Sequence, residues 1–347
     1  MKTKHSVILA NLGTPDSPSV PDVRRYLGEF LMDPRIINIP KVLRWLLVNG
    51  IILRFRPKKS AAAYKKVWTE EGSPLLVHGK NLQAKVQKLM KGRANVHLAM
   101  RYGNPSMEDT VEKSMEDASG ELIVFPLYPQ YAAATTGSTV EKMFRVLDKK
   151  WNVPPMTVVK DFYQDPRFIE AVGVVAKEHL ENFKPDHVLF SYHGLPESHL
   201  KDTAKRCLQQ KNCCDSIAAD NRYCYRAQCV ATTRSLAEKL DLSKDQYSLS
   251  FQSRLGRAEW VKPYTTDLIE ELAKKGVKRL AVLCPAFVAD CLETIEEIGM
   301  EAKADFIAAG GEDLYLVPCV NSSDVWAEAV VAIVEDYLPK STFGRPD

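Results

Sequence analysis

Apolar positions along this chain follow two rhythms. Short aliphatic, β-branched or aromatic runs recur at residues 7–10, 96–100, 122–125, 156–159, 187–191, 247–251, 280–283 and 314–317, and longer stretches with apolar residues at helical spacing lie between them. Compact apolar runs bounded by turn formers predict strands buried on both faces. Strands alternating with helices predict parallel sheets joined by helical crossovers. Eight runs suit two four-stranded sheets better than one continuous sheet, so the expected fold class is α/β. A polar break at residues 160–166 separates the strand near Met156 from a helix beginning near Arg167, and the domain boundary is expected there. A last helix, residues 323–338, follows Asn321, Ser322, Ser323 and Asp324, good capping residues. Residues 340–347 read as a loose tail.

Composition narrows the function. With 347 residues the chain is long enough for two domains, and its 45% hydrophobic and 26% charged residues are those of an ordinary globular protein. A net charge of +3 is too small and too dispersed for a nucleic-acid partner. The first apolar run, residues 7–10, is too short for a signal-peptide core, and none approaches the ~18 apolar residues of a spanning helix. The chain is therefore expected in the cytoplasm, with its cysteines reduced.

Candidate chemistry gathers at two strand ends. The run at 187–191 stops at Tyr192-His193-Gly194-Leu195-Pro196, which puts an imidazole at the tip of a buried strand, where open α/β sheets hold ligands. The run at 280–283 leads through Cys284-Pro285-Ala286-Phe287-Val288-Ala289-Asp290 into an acidic helix start with Glu293, Glu296 and Glu297. Glu293 and Glu297 lie four apart on one helical face, and Glu296 points elsewhere. On the residues alone, His193 reads equally as a hydrogen-bonded strand-end histidine or a base, and the acids as complements to a helix dipole.

Several segments, in order, resemble the ferrochelatase family in its bacterial branch: Asn11-Leu12-Gly13-Thr14-Pro15, Met100-Arg101-Tyr102-Gly103, Pro126-Leu127-Tyr128-Pro129-Gln130-Tyr131, Ser191-Tyr192-His193-Gly194-Leu195-Pro196, Phe251-Gln252-Ser253-Arg254-Leu255-Gly256 and Cys284 to Thr294. The resemblance covers nearly the whole chain. It implies two Rossmann-like domains, 1–160 with the C-terminal helix 323–347 packed back on it, and 161–322, with a cleft between them. It implies insertion of ferrous iron into protoporphyrin IX to give protohaem; coproporphyrin, another tetrapyrrole, or a non-catalytic haem or metal carrier are the alternative readings. By the same resemblance His193 touches the metal and takes the pyrrole protons, Glu293 is the metal-site acid, and Glu297 extends an acidic path for protons or iron. Tyr128, Tyr131 and Arg254 are the expected substrate contacts, with Arg35 and Arg257 as further cations for a propionate. Two departures stand out: Cys291 where many relatives have histidine, and Leu12 where some have tyrosine.

Two features remain. Cys207, Cys213, Cys214, Cys224 and Cys229 fall within 23 residues, in an insertion at about 201–229. Reduced cysteines so close together point to a metal site, either zinc or an iron–sulfur cluster with four thiolates. Some ferrochelatases hold a 2Fe-2S cluster, which makes that the first expectation, using four of the five; Cys229 also fits a helical core stripe with Thr233, Leu236 and Leu240. Residues 39–59, with Trp45, Leu46, Leu47, Ile51, Ile52 and Phe55 edged by Lys and Arg, suit either buried helix turns or a lip resting on anionic lipid. A poorly water-soluble substrate favours the lip, and with it peripheral contact at the inner membrane face.

Overall fold

The computed structural model describes residues 5–117, 120–204, 207, 212–254, 256 and 258–338. The first half runs β1 (His5–Thr14), α1 (Val20–Leu31), α2 (Lys41–Leu47), a π-helical turn (Val48–Ile52), α3 (Leu53–Val67), α4 (Pro74–Leu89), β2 (Ala94–Gly103), α5 (Met107–Asp117), β3 (Leu122–Pro126), a second π-helical turn (Ala133–Gly137), α6 (Ser138–Leu147) and β4 (Met156–Val158). The second half runs α7 (Pro166–Phe183), β5 (His187–His193), α8 (Glu197–Thr203), α9 (Tyr225–Lys239), β6 (Tyr247–Gln252), α10 (Thr265–Lys274), β7 (Arg279–Leu283), α11 (Leu292–Ile295), a third π-helical turn (Glu297–Ala302), α12 (Lys303–Ala308), β8 (Asp313–Leu316) and α13 (Asp324–Glu335). All eight expected strands form, in two all-parallel sheets, β2-β1-β3-β4 and β6-β5-β7-β8.

The two sheets share one strand order. In each, the first strand has its successor on one side and the third strand on the other, so the chain reverses its winding at β1/β3 and at β5/β7. Loops leaving the carboxyl ends of such a pair diverge to opposite faces and leave a crevice. Burial follows the same logic. Val7 to Ala10 and Val188 to Phe190 are almost wholly buried, because helices cover both faces of a parallel sheet.

Two glycines let backbones close up at these ends. Gly13 has φ +116°, and a Cβ there would stand 1.8 Å from the Tyr102 carbonyl oxygen. A Cβ on Gly194 would stand 2.7 Å from the Gln252 carbonyl oxygen, which accepts a 2.8 Å hydrogen bond from the Gly194 N–H. Any side chain at either position would push neighbouring strands apart.

The last helix joins the halves. α13 packs on α4 from the first half and α7 from the second. Its Trp326 is wholly buried, with its ring centroid 5.8 Å from those of Phe162 and Phe168. Lys85 pairs with Asp324 at 2.6 Å, and Arg167 with Asp336 at 2.7 Å. The helix is shorter than its sequence pattern suggests, with residues 336–338 leaving it as a turn.

Candidate active site

Both switch-point crevices open into one cavity. The first half contributes residues 11–14 at the end of β1, Leu127 and Tyr128 after β3, and Tyr26 and Tyr64 from α1 and α3. The second half contributes His193, Leu195 and the stretch from Ala286 through Cys291 to Glu293. His193 and Glu293 are 100 residues apart in the chain and face the same space, because β5 and β7 are neighbours in the sheet.

The imidazole is held in a defined orientation. His193 Nδ1 lies 2.7 Å from the Gly194 carbonyl oxygen. A carbonyl only accepts, so Nδ1 donates its hydrogen there, and in the tautomer this selects for the neutral ring the lone pair is on Nε2. The Phe287 ring, 6.3 Å away centroid to centroid, flanks it.

Gln252 links the histidine to the acids. It pairs with His193 in the β5/β6 ladder, accepts from Ser191 Oγ at 2.8 Å, and donates through Nε2 to the Glu293 carbonyl oxygen at 2.7 Å. Glu297 sits behind Glu293 and accepts from the Ser253 N–H at 2.6 Å and Ser253 Oγ at 2.5 Å. Burial nevertheless pushes the Glu297 carboxyl above the usual range, with Ser253 and His193 opposing that rise and Glu293 adding to it. Ser253 holds φ +66°, an uncommon left-handed backbone for a residue with a side chain, and so aims both donors at one carboxylate. Glu296 points away and pairs with Lys66 of α3 at 2.7 Å.

The opposite wall is aromatic. Burial, with anionic neighbours that include Glu293, holds the Tyr26 and Tyr64 phenols well above their ordinary range. Burial likewise raises the Tyr128 hydroxyl, with the neighbouring Thr139 side chain opposing the rise. Cys291 caps α11 and lines the cavity as a neutral thiol raised by burial and by Glu293. A flat apolar slot thus has a base and a carboxylate at one side.

The sequence family that matches this chain is ferrochelatase, over residues 4–338. The chain belongs to the ferrochelatase family. It is 46% identical to the ferrochelatase of Coxiella burnetii (strain Dugway 5J108-111) over 337 residues, covering 96% of this chain and 94% of that one. To the ferrochelatase of Pseudomonas fluorescens (strain Pf0-1) it is also 46% identical, covering 96% and 98%. To that of Legionella pneumophila (strain Corby) it is 44% identical, covering 96% and 100%. Among solved structures, SirB from Bacillus subtilis with Fe3+ superposes with a TM-score of 0.54 at 12% identity over 97% of each chain, a likeness of fold. Both the two-sheet α/β architecture and the ferrochelatase resemblance expected from sequence are thereby found.

The remaining expected ferrochelatase site residues are dispersed. Tyr131 stands outside the cavity, in a separate shallow groove with Arg35, and its N–H donates to Gln228 Oε1 at 2.6 Å. Arg35 is paired with Glu141 at 2.8 Å. Arg254 is exposed, its guanidinium 4.7 Å from the centre of the Tyr264 ring. Arg257 lies outside the described residues.

Four of the five clustered cysteines come together. Cys207, Cys214 and Cys224 share thiol hydrogen bonds, and Cys213 Sγ is 3.7 Å from Cys214 Sγ. The bond from Cys224 lowers the Cys207 thiol, and its bond to Cys224, with burial, raises that of Cys214. Cys229 is wholly buried one helical turn further along α9, beside Tyr225. No disulfide joins any of the eight cysteines.

Within residues 41–59, Val42, Leu43, Trp45, Leu46, Ile51 and Phe55 are each more than half exposed, whereas Val48 and Leu53 are buried and Leu47 and Ile52 are half-buried. Arg44 is turned inward, donating to the carbonyl oxygens of Ile37 and Ile39 at 3.1 and 3.0 Å. No helix among the described residues is long and apolar enough to cross a membrane.

Tyr26, Tyr64, Tyr225 and Gln252 were not singled out from the sequence as cavity or linking residues. The first two lie on apolar helix stripes and read as core; their polar tips were the available signal. Tyr225 follows directly on Cys224, and Gln252 sits inside a recognised motif.

Proposed function

We propose that this enzyme inserts ferrous iron into protoporphyrin IX with His193 as proton acceptor and Glu293 as the carboxylate that meets the metal. The reaction exchanges two pyrrole N–H protons for Fe²⁺ with no change of oxidation state. It therefore needs a base, a negatively charged metal contact, and a wall that holds the ring bent. His193, with Nδ1 committed to Gly194, offers Nε2. Among the described residues no group of three or more His, Cys, Asp or Glu side chains is arranged to hold a metal ion. Iron as substrate would meet His193 and Glu293 and complete its sphere with porphyrin nitrogens. Glu297, behind Glu293 and holding protons more readily than an ordinary carboxyl, suits the outward proton path. Tyr128, which lines the cavity, suits a propionate, and Tyr131, Arg35 and Arg254 lie further out on the rim.

The observation that carries this reading is the convergence of His193 and Glu293 on one aromatic-walled cavity. The test is anaerobic turnover of the purified protein with ferrous salt and either protoporphyrin or coproporphyrin. The expected result is faster metal insertion into protoporphyrin. Faster use of coproporphyrin would transfer the reading to that substrate, and stoichiometric binding without metalloporphyrin formation would favour a carrier.

Three further assignments belong to the same proposal. The chain divides near residue 160 into two domains, with α13 bridging them. Cys207, Cys213, Cys214 and Cys224 are the thiolates that would hold a 2Fe-2S cluster, leaving Cys229 as core. Zinc and a two-iron cluster each take four thiolates; the thiols as they stand form no such set among the described residues, and the resemblance to cluster-bearing ferrochelatases makes the cluster the first reading. A visible absorption spectrum with iron and sulfide analysis tests it, and a colourless protein with stoichiometric zinc reverses it. Finally, the exposed apolar residues of α2 and α3, with Lys41, Arg54, Lys58 and Lys59, form a lip that rests on anionic lipid at the inner membrane face.

A further inference from the structure

The start of α9 touches three parts of the molecule through residues within one helical turn. Cys224, its N-cap, belongs to the thiol group. Tyr225 is buried, forms part of the cavity wall, and donates its hydroxyl to the His193 carbonyl oxygen at 2.8 Å. Gln228, fully buried, accepts from the Tyr131 N–H through Oε1 and donates through Nε2 to the Arg222 carbonyl oxygen at 2.8 Å.

Strand pairing explains why this matters for His193. β5 pairs with β7 only as far as Phe190, opposite Leu283, so His193 extends three residues beyond the last rung on that side. On the other side it still pairs with Gln252. The Tyr225 hydroxyl therefore supplies the support that the missing rung would have given. A hydrogen bond to the main chain of a reacting residue fixes its side chain as well, and misplacement by about 1 Å at such a site costs on the order of a hundredfold in rate.

We infer that Tyr225 is a positioning residue for His193, and that the cysteine group sets the placement of α9's first turn, so that the state of the thiols is transmitted to the imidazole through the Tyr225–His193 hydrogen bond. The inference rests on the reading of His193 as the reacting base. It gives the cysteine insertion a mechanical task that involves no electron transfer.

Tyr225→Phe keeps the ring and removes only the hydroxyl. The expected result is unchanged thiol-site content by visible spectrum and iron and sulfide assay, protoporphyrin affinity within about threefold, and kcat lowered roughly tenfold at unchanged KM. Amide hydrogen exchange in the segment 190–196 should quicken. Cys207→Ser, a change outside α9 and outside the cavity wall, should quicken exchange in that segment in the wild-type background and add nothing in the Tyr225→Phe background; Cys213→Ser, at the least buried of the four thiols, serves if the first variant does not fold. Unchanged kcat and exchange in Tyr225→Phe would overturn the positioning role. Cysteine effects that are absent, or that add fully to that of Tyr225→Phe, would overturn the coupling. Because exchange is read without turnover, failure of the base assignment, seen as retained activity in His193→Ala, stays distinguishable.

Discussion

The two halves have the same strand order and the same switch-point crevice, yet they equip the shared cavity differently. The β1/β3 end supplies backbone loops and aromatic walls: Gly13, Leu12, Leu127 and Tyr128, backed by Tyr26 and Tyr64. The β5/β7 end supplies the groups that titrate and ligate, wired together by Gln252 and Ser253. One topology thus serves as mould on one side and as reagent on the other. The lesson is that strand order fixes where a ligand goes, and a handful of residues at strand ends decides which half does the chemistry.

The sharpest way to break this contrast is to remove the base. His193→Ala is expected to lower kcat by about 10³-fold while protoporphyrin still quenches intrinsic fluorescence with wild-type affinity, since general acid–base groups contribute roughly 10²–10⁴. Loss of binding instead would move the histidine from reagent to mould. Next, Glu293→Gln keeps the shape and removes the charge; stopped-flow metal insertion should slow by about 10².

On the moulding side, Gly13→Ala should act through the backbone. A Cβ driven against the Tyr102 carbonyl is expected to cost about 3 kcal/mol, read in denaturant melts, with porphyrin affinity falling alongside stability. A variant with unaltered stability would show that the β1/β2 ends are pliable.

Glu297→Gln tests the electrostatics with a sign. The folded carboxyl is raised above its unfolded value, so protonation stabilises the fold at low pH and that contribution is lost as pH rises through the raised value. Relative to wild type, the Gln variant should melt higher at pH 8 than at pH 4; a difference independent of pH would contradict it. The smallest effect on turnover is expected at the lip: the pair Leu46→Asp and Phe55→Asp should leave kcat with detergent-dispersed porphyrin intact and weaken binding to anionic vesicles about tenfold.

Much of the frame was legible because it rests on local patterning. Uninterrupted apolar runs mark strands covered on both faces, and all eight form within a few residues of their sequence positions. His193 was legible for the same reason, since it ends such a run and is followed by a glycine that only close strand packing requires. What the sequence left open was everything set by long-range approach. Tyr26 and Tyr64 carry no local sign that their helices face Glu293. Nothing near Arg254 shows that it lies over Tyr264 outside the cavity. Of the five cysteines, the separation of Cys229 follows from its position one turn into α9, which turns its sulfur into the core. The lip shows the limit in the other direction: an apolar segment reads equally as buried or exposed until Arg44, turned inward to cap two carbonyls, reveals which face looks out.

The last helix carries a consequence for assembly. α13 clasps α4 and α7 with a wholly buried tryptophan, so the register between the two halves is held by a helix that belongs to neither sheet. Whatever loosens that clasp should widen the slot while each sheet stays folded.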